Sequence, residues 1–281
     1  MATVYIRYCL AFMAITTFAA CSKETVIVDV APPEGELRVS DARLEQYIFR
    51  SFVDLLGSAP SESEVVDWSQ RLRSGDYSAE VRLELIETLQ TDPGYRSAYA
   101  NNLYQSAKER FIENLDDAEL KRRFAEIGAP EQNMRIRQLL EWSEGVLTDT
   151  TNYLDLQRLC VFNGAYDQVN MGSFNFVRAT FDNLLWRFPT DEEYEAGFDM
   201  VNDQEQATLF GKEADSKAGY IEIITASEEA LQGTAIWQYQ QLLARRPTAA
   251  ETLAAVPALR STRNVIDLQK VIMQSDEYAG F

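Results

Sequence analysis

The chain has 281 residues, and its 44 Asp and Glu side chains outnumber its 26 Lys and Arg, which gives a formal net charge of −18. A field of that sign repels nucleic-acid phosphates and anionic lipid heads, so we expect no nucleic-acid partner. The chain has no histidine, which excludes Ser-His-Asp and Cys-His catalysis and histidine-ligated zinc, iron or haem. We therefore expect a protein that is not an enzyme and that uses no cofactor and no metal.

The first twenty residues have the parts of a secretory signal. One positive side chain, Arg7, precedes a mostly apolar run over residues 8–20, and small residues stand before Cys21. The run is too short for a transmembrane helix, which needs about 20 residues. The sequence Phe18-Ala19-Ala20-Cys21 resembles the lipobox of bacterial lipoprotein signals, although Leu is commoner where Phe18 stands.

The lipobox resemblance implies that residues 1–20 are removed and that Cys21 becomes a lipidated N-terminus, which anchors the protein to a membrane. It implies an outer-membrane lipoprotein, on the periplasmic face or at the cell surface, because Ser22 is not the aspartate that retains lipoproteins in the inner membrane. Ser22-Lys23-Glu24 resembles the short acidic signals of surface-exported lipoproteins. The alternative is an ordinary secretory signal with a chance cysteine.

Residues 21–40 are predicted to form the lipidated cysteine and a flexible tether. Pro32-Pro33 and Glu34-Gly35-Glu36 suit neither a helix nor a central strand. After removal of the signal, Cys21 and Cys160 are the remaining cysteines, and lipidation of the first excludes an intrachain disulfide. Cys160 lies among apolar residues, so a buried structural thiol is favoured over a nucleophile.

From Asp41 onward the chain has helical periodicity. Apolar residues recur three and four positions apart, as in Leu44, Ile48 and Phe52, and no alternating strand of useful length is evident. The prediction is an all-α, multi-helix bundle of ten to thirteen helices.

A short motif occurs three times, at residues 55–64, 184–193 and 242–251. Its form is Leu-Leu, three residues, Pro, Ser or Thr, two residues and Glu. Proline disfavours helix in the residue before it, so a helix should end after Leu-Leu. The Ser or Thr then caps the next helix, and the Glu completes a capping box by accepting a hydrogen bond from the backbone N–H of the cap residue. Each copy is therefore predicted to be a helix–turn–helix corner.

The copies resemble the helical repeats of phycobilisome linkers and related bacterial surface proteins, which have a Leu-(Gly)-Arg-x-Pro corner and end in Ser-x-Glu-(Phe/Tyr). The third copy fits best, with Arg245 at its corner and Ser275-Asp276-Glu277-Tyr278 at its end. The first copy lacks the arginine and the second lacks the final aromatic residue. The resemblance implies a role in protein interaction or assembly.

Two helical domains are predicted from the spacing of the repeats. The N-terminal helical domain, residues 41–160, contains the first repeat and an insertion. The C-terminal helical domain, residues 161–281, contains the second and third repeats.

Residues 163–175 are predicted to be the longest non-helical stretch of the folded part, and long loops in compact domains are often functional. Their amide, carboxylate and aromatic side chains suit contacts with a carbohydrate or a peptide, although the stretch could simply connect two helical halves. A tryptophan in the second corner is predicted to be exposed, and it could stack on a sugar. The candidate binding residues are Tyr166, Asp167, Asn170, Phe174 and Trp186.

The predicted function is a lipid-anchored envelope protein with a non-enzymatic protein-binding or assembly role at the outer membrane. Its partners would be the membrane, through the lipid on Cys21, and an envelope protein. The alternatives are a glycan-binding or peptidoglycan-handling lipoprotein and a structural spacer of the envelope.

Overall fold

The computed structural model describes residues 39–112, 115–122 and 130–281, so Cys21, the predicted signal and almost all of the predicted tether lie outside the described residues. Within that part the chain is all-α, as predicted, apart from a short hairpin and a π-helical turn. The α-helices are α1 (Asp41–Leu56), α2 (Glu62–Ser74), α3 (Ala79–Thr91), α4 (Arg96–Phe111), α5 (Asp117–Leu120), α6 (Pro130–Leu140), α7 (Trp142–Leu147), α8 (Tyr153–Val161), α9 (Gly164–Val169), α10 (Ser173–Leu185), α11 (Asp191–Phe198), α12 (Lys217–Thr225), α13 (Glu228–Leu243), α14 (Ala249–Thr262), α15 (Ile266–Met273) and α16 (Asp276–Ala279).

The hairpin joins two antiparallel strands, β1 (Ala207–Leu209) and β2 (Lys212–Ala214), and the π-helical turn covers Asp199–Asp203. The described part of the chain has more helices than predicted, because α5, α7, α9 and α16 have only four to six residues each. Helices of that length are too short to show an apolar period. No helix among the described residues is long and apolar enough to cross a membrane.

All three predicted corners are confirmed, and each has the predicted capping box. At each corner the cap hydroxyl accepts a hydrogen bond from the backbone of the Glu, and the Glu carboxylate accepts one from the backbone of the cap. The pairs are Ser61 with Glu64, Thr190 with Glu193, and Thr248 with Glu251. The helix before each corner is followed by a residue in the left-handed conformation, namely Gly57, Trp186 or Ala244, with φ of 69°, 58° and 53°.

An arginine closes the second corner. Arg187 donates from Nη1 and Nη2 to the two carboxylate oxygens of Glu193, at 2.7 Å each, and from Nε to Glu229 at 2.7 Å. Glu229 lies in the first turn of α13, where the second repeat ends. The arginine therefore ties the corner of the repeat to the end of the same repeat.

The third corner has the same arrangement. Arg245 donates to the two oxygens of Glu251 at 2.9 and 2.8 Å, and its Nε donates to Glu277, at the end of this repeat, at 2.6 Å. The first corner has Ser58 at the position of the arginine, and there the hydroxyl of Tyr95 donates to Glu64 at 2.5 Å instead. A tyrosine from the end of the first repeat thus takes the place of the missing guanidinium.

The first and third repeats pack against each other. Helix α3 lies against α15, and Arg82 on α3 donates to Asp276 at 2.6 Å. Tyr47 on α1 packs edge-on against Tyr278 and Phe281, with ring centroids 6.0 and 5.6 Å away. Residues Val39–Phe281 form one compact unit, and both predicted helical domains lie within it.

Helix α4, from the predicted insertion, lies inside this unit and contacts α1, α7 and α8. Its face toward the core includes Tyr99, Leu103 and Phe111, all buried. Cys160 on α8 is also fully buried and free, as predicted, and burial raises the pKa of its thiol. A buried thiol that resists deprotonation is a poor nucleophile.

The prediction of a non-helical stretch over residues 163–175 was wrong. Helix α9 occupies Gly164–Val169, and α10 already begins at Ser173. The reason is a local cap: the side chain of Asn163 accepts hydrogen bonds from the backbone N–H groups of residues 165 and 166, at 2.8 and 3.0 Å. Amides and glycines in this stretch mark the ends of two helices, not a loop between them.

Candidate functional site

Tyr166 is part of the core. Its side chain is fully buried, its ring packs edge-on against Phe176 with centroids 5.6 Å apart, and its hydroxyl accepts a hydrogen bond from Asn183 at 3.0 Å. Burial raises the pKa of this hydroxyl. Although Tyr166 was predicted to be a binding residue, a ligand at the surface therefore cannot reach its side chain.

Asp167 and Asn170 do lie together. They line a small pocket of about 190 Å³ that also includes Ser173 and Lys217. Lys217 donates from Nζ to Asp167 at 2.5 Å, and the same ammonium lies 3.9 Å from the ring centroid of Phe176. The lysine is held by a carboxylate and an aromatic ring of the protein itself, so this pocket offers few free charged groups to a ligand.

Phe174 belongs to a surface group of four aromatic side chains and one arginine, of which Tyr194 and Phe198 are partly buried. We call this group the aromatic face: Phe174, Arg178, Phe188, Tyr194 and Phe198. Phe174 is 49% exposed and Phe188 is 63% exposed. Tyr194 packs edge-on against Phe174 and lies 5.9 Å from Phe198. The guanidinium of Arg178 lies 5.2 Å from the ring centroid of Phe174 and 5.4 Å from that of Phe188.

Trp186 is half-buried at the second corner. Its Nε1 donates to the carbonyl of Gly233 at 3.0 Å, and its ring lies 6.2 Å from that of Trp237. The guanidinium of Arg110 lies 5.4 Å from the Trp186 centroid, and its burial lowers the pKa of the arginine to about 10. These contacts tie Trp186 to the interior, so its indole serves packing between α10 and α13.

A cleft that the sequence did not predict lies where five helices meet. It has a volume of about 230 Å³, and most of its lining side chains are amides or hydroxyls. We call it the amide cleft; its polar lining consists of Asp54 from α1, Asn102, Gln105, Ser106 and Glu109 from α4, Tyr153 from α8, Gln238 and Gln241 from α13, and Gln269 from α15.

A hydrogen-bonded network holds the floor of the amide cleft. The Oε1 atom of Gln269 accepts from the hydroxyl of Tyr99 at 2.7 Å and from Gln90 Nε2 at 3.1 Å. The Nε2 atom of Gln269 donates to Gln238 Oε1 at 3.0 Å. All four side chains are at most 5% exposed, and burying amides costs free energy unless they are hydrogen-bonded. The network therefore fixes the positions of the amides that face the cleft.

Asp54 lies at the edge of the cleft. It accepts a hydrogen bond from the hydroxyl of Tyr278 at 2.8 Å, and Arg50 lies 3.4 Å away. Burial raises the pKa of its carboxyl, although both neighbours counteract that effect. Beside it, an open groove of about 600 Å³ runs along α1 over the half-exposed side chains of Phe49 and Val53.

The chemistry available in the cleft is mainly hydrogen bonding by neutral amides and hydroxyls, beside the carboxyl groups of Asp54 and Glu109. Among the described residues, no group of three or more Cys, Asp or Glu side chains is arranged to hold a metal ion. The cleft was missed because single glutamines on separate helices carry no periodic signal.

The chain matches no protein-family model, no curated protein and no solved structure.

Proposed function

We propose that this chain is a lipid-anchored envelope protein that binds a protein partner at the outer membrane and has no catalytic role. The observation that carries the proposal is the aromatic face, which leaves two phenylalanines about half or more exposed. Large exposed apolar groups are costly in water, and contiguous ones mark interaction sites. Aromatic residues and arginine are also the side chains most enriched at the centre of protein interfaces.

The positive charge of Arg178 indicates what kind of partner suits the aromatic face. Among the described residues, Arg178 contacts aromatic rings and has no carboxylate partner, although the chain has 18 more acids than bases. An arginine that loses water in an interface requires hydrogen-bond acceptors. The aromatic face therefore suits a partner segment in which apolar side chains flank a carboxylate.

The anchor and the repeats support the same role. The lipobox resemblance of Phe18-Ala19-Ala20-Cys21 would place the helical unit on the envelope, and the repeats resemble those of linker proteins that assemble other proteins. The glycan-binding alternative gains nothing from Trp186, whose indole is engaged within the protein.

The test is site-specific photo-crosslinking in the native envelope with the full lipidated chain. We expect a discrete protein adduct from a photoreactive residue at Phe174 or Phe188, and a weaker adduct when Arg178→Glu is added. Leu253 on α14 is the matched control, because it is apolar and 68% exposed but lies outside the aromatic face. An adduct of equal yield from Leu253, or none from either phenylalanine, contradicts the proposal.

The anchor has its own test. Cys21→Ala should abolish incorporation of a labelled fatty acid, because the Cys21 thiol is the point of attachment of the acyl chains. Mass spectrometry of the wild-type N-terminus should find a lipidated cysteine at position 21. An unmodified Cys21 in membranes would contradict the lipoprotein assignment without affecting the aromatic face.

A further inference from the structure

We propose that the amide cleft binds one sugar ring of an uncharged glycan. The cleft shares no residue with the aromatic face, so the proposal is independent of the protein-binding role.

The lining of the amide cleft offers hydrogen-bond donors and acceptors that suit sugar hydroxyls. Each sugar hydroxyl both donates and accepts hydrogen bonds, and a primary amide offers two donors and one acceptor oxygen. Gln238 and Gln269 come from two different helices and are joined by a hydrogen bond of 3.0 Å. Because the oxygens of both amides already accept hydrogen bonds within the network, further acceptors come from Asn102, Gln105 and Gln241, and Ser106 and Tyr153 add hydroxyl groups. The site thus presents the mixture of donors and acceptors that a polyhydroxylated ring can satisfy.

The two buried glutamines of the cleft are already ordered before a ligand binds. Gln238 and Gln269 are 4% and 5% exposed, and Gln269 is also held by Tyr99 at 2.7 Å. Side chains that are already ordered lose little rotamer entropy when a ligand binds. Free glutamines on the surface would lose rotamer entropy at each residue when a ligand binds.

The charge of the cleft lining favours an uncharged ligand. Among the described residues, the charged side chains that line the cleft are Asp54 and Glu109, both acidic, in a chain of net charge −18. Phosphorylated or uronic sugars would be repelled there. Asp54 already receives a hydrogen bond from Tyr278 and is paired with Arg50, so it is not free to recruit a cation. An uncharged ligand fits this balance best.

The volume of the amide cleft limits the size of the ligand. A volume of about 230 Å³ is below the roughly 300–1,000 Å³ of pockets that enclose drug-sized ligands. The cleft therefore admits one ring, and the rest of a chain must leave it. The adjoining groove along α1 offers Phe49, 50% exposed, as an apolar surface for the next ring.

The test uses the full chain, purified in a detergent without a sugar head group so that the detergent does not compete. The probes are cellotriose and tri-N-acetylchitotriose as neutral glycans, trigalacturonate as an anionic glycan, and a glutamine-containing tripeptide. The readout is the NMR shift of the side-chain amides of Gln238 and Gln269. We expect a neutral trisaccharide to move both signals and the anionic sugar and the peptide to leave them unchanged.

Neighbouring glutamines on α13 provide a matched pair of variants. Gln241 lines the cleft and is exposed, so Gln241→Leu should fold normally and weaken binding by about tenfold, as expected for a lost hydrogen bond of about 1.4 kcal/mol. Gln240 does not line the cleft, and Gln240→Leu should bind as wild type does. Phe188→Ala, on the aromatic face, should also leave sugar binding unchanged.

Three outcomes would overturn the proposal. They are no shift with either neutral trisaccharide up to its solubility limit, binding of the anionic sugar or the peptide in preference to them, and equal losses from Gln240→Leu and Gln241→Leu. Absence of a crosslinked adduct from both Phe174 and Phe188, with sugar binding intact, would instead count against the protein-binding role alone.

Discussion

The arginines at positions 187 and 245 are the residues that most clearly define the repeat. Each guanidinium binds both oxygens of the capping-box glutamate and reaches a second glutamate at the end of the repeat. Bidentate pairs of this kind are stronger and more directional than single contacts. The capping glutamate thus serves two purposes, because it satisfies a helix N-terminus and anchors the arginine.

The pH dependence of stability should report on the third corner. Hydrogen bonds from Arg245 lower the pKa of Glu251 from 4.5 to about 2. A carboxyl whose pKa is lowered by folding stabilises the protein above its unfolded pKa, and that stabilisation is lost as pH falls through the folded value. We expect the Glu251 contribution to be complete above about pH 5 and to disappear between about pH 4.5 and 2.

Arg245→Met should therefore raise the pKa of Glu251 toward 4.5 and lower stability at pH 7 by about 1–2 kcal/mol. The measurements are NMR titration of the carboxyl and thermal unfolding at several pH values. The control is Arg260→Met, because the pair of Arg260 with Glu228 is 59% exposed on both sides and should matter little. A Glu251 pKa that stays near 2 in the Arg245 variant would contradict this explanation.

At the scale of elements, the corners depend on one backbone conformation. Gly57, Trp186 and Ala244 all follow a helix with positive φ, which costs a residue with a side chain about 1–2 kcal/mol relative to the right-handed region. Glycine occupies this position in the first corner only. The second corner keeps a tryptophan there, whose side chain has a packing role of its own.

Ala244→Gly should stabilise the protein by about 0.5–1 kcal/mol, because glycine adopts φ of 53° without strain while its extra freedom when unfolded offsets part of the gain. Urea unfolding would measure the change. Gly57→Ala is the reverse control and should destabilise, since its new Cβ would also lie 2.8 Å from Asn102 Oδ1. Destabilisation by Ala244→Gly would mean that strain at the corner is not the controlling term.

The contact between α10 and α13 depends on Gly233. A Cβ at this position would lie 1.8 Å from the carbonyl oxygen of Leu184, which belongs to the backbone and cannot rotate away. We expect Gly233→Ala to cost about 2–3 kcal/mol.

The comparison variant is Gly211→Ala. That position has φ of 73° but open space around its Cβ, so it should lose only about 1 kcal/mol from backbone strain. Equal losses in chemical denaturation would show that close approach of the two helices is not the reason for Gly233.

At the scale of the whole molecule, the first repeat is closed by the last. The C-terminal residues bring Tyr278 and Phe281 against Tyr47, and Asp276 against Arg82, more than 190 positions away in sequence. Contacts of this kind join the beginning and the end of the described unit, so its repeats should not unfold one at a time.

Tyr278→Ala should therefore lower the stability of the whole unit by about 3 kcal/mol, the usual cost of truncating a buried aromatic side chain. The unfolding transition should stay single. Within each protein, the midpoint measured by far-UV circular dichroism should coincide with that measured by tryptophan fluorescence, since Trp68 lies in the first repeat and Trp237 near the third. Separate midpoints for the two probes would show that the repeats are independent.

Local sequence is sufficient to predict the all-α class, the three corners and their capping boxes. These features depend on residues within about ten positions of one another, such as Thr248 and Glu251, so local propensity and spacing specify them. Residues 163–175 were different, because their glycines and amides suit either a loop or two helix ends. The Asn163 cap begins α9, and burial of Tyr166 holds that helix against the core.

Long-range packing of the helices selects the residues that form the aromatic face and the amide cleft. No local pattern marks Gln238 and Gln269 as buried, and their hydrogen-bond network includes Tyr99 and Gln90 from distant parts of the chain. The same holds for the partners of Arg187 and Arg245 at the ends of their repeats. A hydrogen-bond partner more than thirty residues away leaves no periodic trace in a single sequence, because packing alone selects it.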